Sequence, residues 1–137
     1  LPTELGSLTG LLKLDLDVNQ LLGSLPTTLG NLQAVTHLSM KDNQMTGELP
    51  SQLGQLRVLE HLGLEENQLS GPLPSTLGEL ERLQKLWLQH NGFSGTLPSQ
   101  LGMLRDTLSQ WNLTNNLFSP NETWAVLSEQ NVTSAKD

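Results

Sequence analysis

The sequence predicts a repeat protein in which similar coils, each with a short β-strand, stack along one axis. The first observation is a recurring asparagine, at Asn19, Asn43, Asn67 and Asn91, with a constant spacing of 24 residues. The second is that a Leu-Pro pair, a Leu-Gly pair and a glycine four residues after each asparagine follow the same period. Self-similarity at a fixed period of this length is the signature of a repeat protein, here a solenoid of stacked coils.

The strand of each predicted coil is marked by alternating leucines. In Leu62-Gly63-Leu64 the two leucines occupy one face of the strand, and Gly63 occupies the other. One coil cannot bury such a row alone, so we expect coils to stack at the strand spacing of ~4.8 Å. This stacking places one central leucine of each coil over the next, at Leu14, Leu38, Leu62 and Leu86.

The recurring asparagines follow the strands, where the chain turns away. An asparagine amide both donates and accepts, so we expect it to bond backbone groups that the turn leaves unpaired. We interpret these residues as structural, in a ladder of Asn19, Asn43, Asn67, Asn91 and Asn116. Glycines such as Gly23 suit a left-handed backbone and prolines such as Pro26 fix φ, so both indicate corners of the coil.

The period also predicts how the chain is divided. Residues 1–10 form the second half of a coil, and complete coils follow at 11–34, 35–58, 59–82 and 83–107. A degenerate fifth repeat starts at 108, so the array is predicted to span 1–118. Because the first coil is partial and has no polar cap, we expect a truncated start, covered by further repeats or a partner subunit.

A C-terminal capping helix and tail are predicted for residues 119–137. Ser-Pro-Asn-Glu at 119–122 has the form of a capping box with proline at the first helical position. Trp124 and Leu127 would then form an apolar stripe that covers the last coil. In the fifth repeat, Trp111 replaces a core leucine and is expected to be packing, and Pro120 takes the place of the turn glycine.

The half-repeat G-x-L-P-x-x-L-G-x-L is similar to that of the plant-specific class of leucine-rich repeats, and the similarity covers residues 1 to about 118. That class includes the ectodomains of receptor-like kinases and receptor-like proteins, and the polygalacturonase-inhibiting proteins. The resemblance implies an α/β repeat fold, a right-handed leucine-rich-repeat solenoid with a parallel sheet on its concave face. It also implies a function in recognising peptides, steroids or proteins.

Composition excludes several classes of partner. The chain has 14 acidic and 7 basic side chains and a formal charge of -7, which repels phosphate backbones and anionic lipid surfaces. We therefore expect no nucleic-acid partner. No stretch approaches the ~20 apolar residues that span a bilayer, so we expect no membrane insertion by this segment. The chain has no cysteine, which excludes disulfides and thiolate metal sites.

Fifteen strand positions that face away from the leucine row are the candidate binding surface. Trp87 is singled out because a tryptophan at a solvent-facing strand position is favoured as an interface anchor, although it would equally serve as cover for its neighbours. The fifteen positions form three columns: Lys13, His37, His61, Lys85 and Gln110; Asp15, Ser39, Gly63, Trp87 and Asn112; and Asp17, Lys41, Glu65, Gln89 and Thr114.

The same surface offers weak signals for metal binding and catalysis. His37 and His61 are expected on adjacent coils, but no third ligand is evident, so we predict no metal site. An open sheet supplies no enclosed pocket to shift a pKa, so we expect neither catalysis nor a cofactor. The acidic residues are interpreted as a solvated face: Asp15, Asp17, Glu65 and Glu66.

Three N-x-T sequons are glycosylation candidates, at Asn112, Asn121 and Asn131. They favour a secreted or exoplasmic glycoprotein over an intracellular protein. The leading functional hypothesis is a module that binds a protein or peptide partner through its concave face, within a larger secreted or membrane-anchored protein. Two alternatives stay open: an inhibitor of a secreted, cell-wall-degrading enzyme, and a structural or adhesive subunit of a larger assembly.

Overall fold

A computed structural model describes residues 1–119 as a solenoid of stacked coils with two parallel sheets. The described strands, in chain order, are β1 (Lys13–Asp15), β2 (Leu22–Gly23), β3 (His37–Ser39), β4 (Gln44–Gly47), β5 (His61–Gly63), β6 (Gln68–Gly71), β7 (Lys85–Trp87), β8 (Gly92–Thr96), β9 (Gln110–Asn112) and β10 (Leu117–Ser119). The predicted solenoid of 24-residue repeats is confirmed. The predicted capping helix lies outside the described residues.

The concave sheet contains one strand from each coil, in the order β1-β3-β5-β7-β9. Its register follows the repeat, since Leu38 lies between Leu14 and Leu62 on the neighbouring strands. The last pairing is offset by 25 residues, Lys85 with Gln110, because the coil between them is one residue longer. Side chains 24 residues apart in the sequence thus lie beside each other on this sheet.

A second sheet, the lateral sheet, has the order β10-β8-β6-β4-β2, and the sequence did not lead us to expect it. Its strands are short and follow the asparagine of each repeat, and those of the first four repeats include the turn glycine. The signal for it was the alternation in Gln68-Leu69-Ser70, where only the leucine is buried. Alternation over three residues is too short to distinguish a strand from a turn.

The remaining side of each coil carries a 3-10 helical segment, at Thr3–Ser7, Thr27–Asn31, Ser51–Gln55, Ser75–Glu79 and Ser99–Leu104. Each segment begins directly after the proline of a Leu-Pro pair, which has an extended backbone and caps the segment, because its carbonyl accepts the first hydrogen bond of the 3-10 turn. The glycine of each Leu-Gly pair lies where two coils touch. A Cβ placed on Gly54 would be 2.6 Å from the Cβ of Thr76 in the next coil.

The core is a continuous column of leucines along the solenoid axis. Residues such as Leu38, Leu62 and Leu86 are at most 1% exposed, because each is covered by the coil on either side. The first coil differs, since Leu12 and Leu22 are 65% and 66% exposed. Burial of a leucine side chain stabilises a fold by about 2 kcal/mol, so the inner coils supply most of the hydrophobic stabilisation.

The residue before each asparagine adopts the left-handed backbone conformation, with φ between 53° and 56° at Val18, Asp42, Glu66, His90 and Asn115. Asparagine and aspartate tolerate this region better than other residues with a side chain. Val18 is β-branched and 70% exposed, so it has strain without the compensation of burial.

Candidate ligand-binding surface

The asparagine ladder fixes the ends of the concave strands. The amide nitrogen of Asn67 donates to the carbonyl of Met40 in the preceding coil at 2.9 Å. It also donates to the carbonyls of Leu64 and Glu65 in its own coil, each at 3.2 Å. Its oxygen accepts from the backbone N–H of Met45 at 3.0 Å. One buried side chain thus bonds two neighbouring coils and holds the strands that present the candidate surface.

The fifteen candidate positions all lie on the concave strands or within two residues of their ends, but they are not all open surface as the sequence suggested. Eleven are exposed or half-buried, and four are buried. Small side chains in the middle column lie low between larger neighbours, which explains most of this difference. The buried positions are Ser39, Gly63, Glu65 and Asn112.

The first column has an imidazole pair at its centre. The rings of His37 and His61 meet edge to face, with centroids 4.3 Å apart. Burial, then His37 and then Lys85, lower the pKa of His61 to about 4. Burial and the charge of Lys13 also lower the pKa of His37. Both rings are therefore neutral at pH 7.

This imidazole pair borders a shallow groove of about 280 Å³ along the edge of the concave sheet. The groove is lined by Thr36, His37, Glu60, His61, Gln84 and Lys85. Within residues 1–119, no cluster of three or more histidine, cysteine, aspartate or glutamate side chains could hold a metal ion.

The carboxylates of the first coil already have partners. Asp15 forms an ion pair of 3.1 Å with Lys13, and this hydrogen-bonded contact lowers the pKa of the Asp15 carboxyl. Asp17 accepts a hydrogen bond of 2.6 Å from the Ser39 hydroxyl and one of 2.8 Å from the backbone N–H of Lys41. Both carboxylates are thus used within the sheet.

Glu65 corrects an expectation, because it is not part of a solvated face. Its side chain is 9% exposed, and its Oε2 lies only 3.3 Å from the position that a Cβ on Gly63 would occupy. The carboxyl therefore fills space that the missing side chain leaves. Burial raises the pKa of the Glu65 carboxyl. A carboxyl with a raised pKa therefore occurs on this open sheet, although we expected such a shift only in an enclosed pocket. A glycine inside a strand, which often marks such a close approach, was the available signal.

Trp87 is half-buried at the centre of the middle column. On the neighbouring strands it pairs with Gly63 on one side and Asn112 on the other. Its indole is the bulkiest side chain of this column, and both neighbours in register are buried. This placement suits an anchor for a ligand and also suits cover for Gly63, so both interpretations of Trp87 remain.

Of the three sequons, only Asn112 lies within the described residues. It is 8% exposed, and its oxygen accepts hydrogen bonds from the backbone N–H and the hydroxyl of Thr114, at 3.0 and 2.8 Å. A glycan on Asn112 would occupy the concave face beside Trp87. Glycosylation of Asn112 and ligand binding at this position are therefore alternatives to each other.

Comparison with known families decides the classification. The model described as Leucine Rich Repeat matches residues 10–32, 34–56, 58–80 and 82–104. The chain belongs to the leucine-rich repeat family. A comparison with curated protein sequences gave no significant match.

Solved structures similar to this leucine-rich repeat chain include plant receptor ectodomains. One is the ectodomain of the Arabidopsis thaliana receptor kinase GASSHO1/SCHENGEN3 in complex with CASPARIAN STRIP INTEGRITY FACTOR 2. Its TM-score is 0.87 and its identity 35%, and the match covers 93% of this chain and 15% of that one. A second is the Arabidopsis receptor kinase HAESA in complex with the peptide hormone IDA and the co-receptor SERK1. Its TM-score is 0.85 and its identity 32%, and the match covers 98% of this chain and 23% of that one.

A third similar structure is the BIR3–SERK2 complex from Arabidopsis thaliana, with a TM-score of 0.73, 35% identity, and coverage of 78% of this chain and 57% of that one. The resemblance to plant leucine-rich repeats is thereby confirmed. The leucine-rich repeat chain spans between 15% and 57% of the length of these three relatives. Among residues 1–119, no helix is both long and apolar enough to span a bilayer.

Proposed function

We propose that this chain is a non-enzymatic recognition module that binds a peptide or protein on its concave sheet. The observation that carries the proposal is its likeness, over 93% and 98% of its length, to receptor ectodomains whose structures contain a bound integrity factor or peptide hormone. Because these similar ectodomains are in complex with an integrity factor or a peptide hormone, they support a peptide or protein as the partner of this chain.

The chemistry of the concave sheet supports this proposal. A half-buried tryptophan lies at its centre, and aromatic residues of this kind commonly contribute about 2 kcal/mol or more to an interface. The column at the start of the strands contains Lys13 and Lys85 and no carboxylate, whereas the column just after the strands contains Asp17 and Glu65 together with one lysine, Lys41. A ligand lying across the sheet would therefore meet a different charge at each edge, which favours one orientation.

The surroundings of the imidazole pair support a non-enzymatic role. A histidine that acts as a general base is usually oriented by a carboxylate and lies near a nucleophile. Burial is the largest cause that lowers the pKa of His37 and of His61, and the charges of Lys13 and Lys85, which pair with them at the outer strands, lower it further. We propose an extracellular or exoplasmic location, by analogy with the receptor ectodomains and in line with the sequons.

The experiment is ligand capture with concave and non-concave variants of the chain. Immobilised wild-type chain, Trp87→Ala and Gln55→Ala would each be exposed to extracellular extract of the source organism, and bound peptides and proteins would be quantified by mass spectrometry. Gln55 is exposed at the end of a 3-10 segment and serves as the control.

We expect at least one ligand whose affinity, measured afterwards with purified material, falls tenfold or more for Trp87→Ala and is unchanged for Gln55→Ala. If every captured ligand binds Trp87→Ala as well as it binds the wild type, the concave sheet is not the binding surface.

A further inference from the structure

The groove beside the imidazole pair contains hydrogen-bond donors that residues 1–119 do not use. Lys85 lines this groove and has no ion-pair partner within those residues. The rings of His37 and His61 contact each other but form no hydrogen bond with the same part of the chain. Other cations of the described chain do form ion pairs, namely Lys13, Arg57 and Arg105.

The unused donors lie side by side, because their strands are neighbours in the concave sheet. His61 pairs with His37 on one side and with Lys85 on the other. Adjacent strands are about 4.8 Å apart, so a small group above His61 is within reach of all three side chains. All three are half-buried, and their donors are therefore partly withdrawn from water while the groove stays open.

The charges around the groove select the class of ligand. Lys13 is offset by Asp15 at 3.1 Å, and Asp17 accepts two hydrogen bonds within the sheet. The groove itself contains the free ammonium of Lys85 and one carboxylate, Glu60, which is exposed. Ammonium and imidazole N–H groups bind a carboxylate through charge-assisted hydrogen bonds. Glu60 repels a second negative charge, so a single carboxylate suits the groove better than a phosphate dianion.

We propose that this groove binds a carboxylate of the recognised peptide or protein, held by the Lys85 ammonium and the imidazole pair, and that binding transfers one proton from solvent to the pair. The inference rests on the proposed recognition function and names a chemical group of its ligand. One proton is the limit, because two imidazolium rings with centroids 4.3 Å apart would repel each other. An Asp or Glu side chain and a free C-terminus offer the same group, and the test separates them.

The proton is taken up because a carboxylate reverses the balance that keeps the free rings neutral. Burial, then His37 and then Lys85, lower the pKa of His61 to about 4. A carboxylate at hydrogen-bond distance favours the imidazolium form and raises that pKa in the complex. The complex therefore binds a proton at a pH where the free chain does not, so affinity rises as the pH falls from 7.5 to 5.5. Below about pH 4.3 a glutamate ligand becomes neutral itself, and affinity is lost.

Other charged groups face the imidazole pair from the neighbouring segments. Lys13 opposes protonation of His37, whereas Asp15 and Asp17 favour it. Lys85 opposes protonation of both rings. These groups are present with and without ligand, so they set the pKa of the free rings and leave the direction of the pH dependence unchanged. They are Lys13 and Asp15 on β1, Asp17 after β1, Glu60 before β5 and Lys85 on β7.

The test uses the 137-residue chain and small probes, followed through the imidazole Cε1–H resonances in NMR titrations at constant ionic strength. The probe is N-acetyl-glutamate amide, and the neutral N-acetyl-glutamine amide is the chemical control. At pH 5.5 we expect millimolar binding of the glutamate probe and at least tenfold weaker binding of the glutamine probe. At pH 7.5 the glutamate probe should bind at least threefold more weakly than at pH 5.5.

Two further probes identify the anion. N-acetyl-diglycine carries only a terminal carboxylate, and tighter binding of this probe or of the glutamate probe assigns the source of the group. Inorganic phosphate at pH 7.5, where the dianion dominates, should bind more weakly than either. Phosphate binding as tightly as the carboxylates would overturn the choice of ligand.

Matched variants separate the groove from general attraction to a cation. Lys85→Gln should weaken the glutamate probe fivefold or more, whereas Arg82→Gln removes the same charge from an exposed residue outside this groove and should change it less than twofold. The double variant His37→Gln/His61→Gln should lose the pH dependence. His90→Gln should keep it, because His90 lies outside the groove, and this variant also identifies the third histidine resonance.

Four results would each overturn the proposal. They are equal binding of the glutamate and glutamine probes, equal loss in Lys85→Gln and Arg82→Gln, a pH dependence that survives in the double variant, and no shifts up to 50 mM probe at pH 5.5. Thermal melts exclude loss of folding as the cause, since we expect Lys85→Gln to melt within about 2 °C of the wild type. Lys85→Met, which keeps the length of the side chain without its charge, replaces it if it does not.

The recognition function and the carboxylate groove fail separately. If a captured ligand depends on Trp87 but binds Lys85→Gln normally, the groove is wrong and the recognition function stands. If every captured ligand is indifferent to Trp87, recognition by the concave sheet fails, whereas the probe titrations still decide whether the groove binds a carboxylate.

Discussion

Replacing Asn67 by alanine tests whether the asparagine ladder holds the coils together. The side chain makes four hydrogen bonds to backbone groups, three as donor and one as acceptor, and it is 9% exposed. Alanine removes all four and provides nothing in return. The N–H of Met45 in the preceding coil would then remain buried without a partner, whereas the carbonyl of Met40 keeps the Asn43 amide as a donor at 3.1 Å.

The expected cost follows from counting these bonds. A hydrogen bond contributes about 1 kcal/mol net, and a buried polar group left unpaired costs about 1–3 kcal/mol. We therefore expect Asn67→Ala to lower the free energy of unfolding by about 3–4 kcal/mol. Asn19 is the matched control, because its exposed side chain donates only to Leu16 and Asp17, and we expect Asn19→Ala to cost about 1 kcal/mol.

The assay is urea denaturation, followed by both tryptophan fluorescence and circular dichroism. The fluorescence and circular-dichroism transitions must coincide before a free energy of unfolding is derived, because repeat arrays lose cooperativity when one interface weakens. Asn67→Asp adds a second comparison. It keeps the size of the side chain but presents oxygen in place of the nitrogen that donates to three carbonyls, so we expect it to be less stable than Asn67→Ala at pH 7.

Equal costs for Asn19→Ala and Asn67→Ala would refute this reasoning, since the two sites differ in the number and burial of their bonds. A stable Asn67→Asp variant would refute it independently, because an acceptor would then be tolerated where the structure requires a donor.

Three further substitutions test other features of the coils. Val18→Asn should raise the free energy of unfolding by about 1 kcal/mol in urea denaturation, because asparagine tolerates the φ of 54° that strains valine. The free energy of unfolding should fall by about 1 kcal/mol between pH 7 and pH 4.5 because of His61. Its imidazole binds a proton near pH 6.5 in the unfolded chain but only near pH 4 in the folded chain. His61→Gln should remove this part of the pH dependence. Gly54→Ala should cost about 2–3 kcal/mol by forcing two coils apart at Thr76, whereas Gly10→Ala, with nothing within 4 Å of the new Cβ, should leave the melting temperature nearly unchanged.

Much of the fold was predictable because each coil repeats the same physical problem. The alternation in Leu62-Gly63-Leu64 indicated the concave strand, and stacking was required to bury its leucines. The lateral sheet escaped prediction because its strands are two to five residues long and include glycines. The left-handed residue before each asparagine also escaped, because the five residues at that position share no side-chain type.

The candidate surface was harder to predict than the fold. The period gave the three columns, and the structure places all of them on the concave side of the strands. Burial within the columns depends on which side chain leans over which neighbour. Glu65 is buried because Gly63 leaves room for it, and Ser39 is buried while it bonds to Asp17 in another coil. A column read from the sequence does not contain these contacts.

The asparagine ladder has a consequence for how such an array grows. Every inner coil offers its neighbour the same set of donors and acceptors: Leu21 donates to Asn43, Leu69 to Asn91 and Phe93 to Asn116. A duplicated coil inserted whole would find matching partners on both sides. Length can therefore change in steps of one coil by gene duplication without new interfaces, while concave side chains that make no contact between coils diverge freely. The scaffold and the surface that it displays are inherited as separate traits.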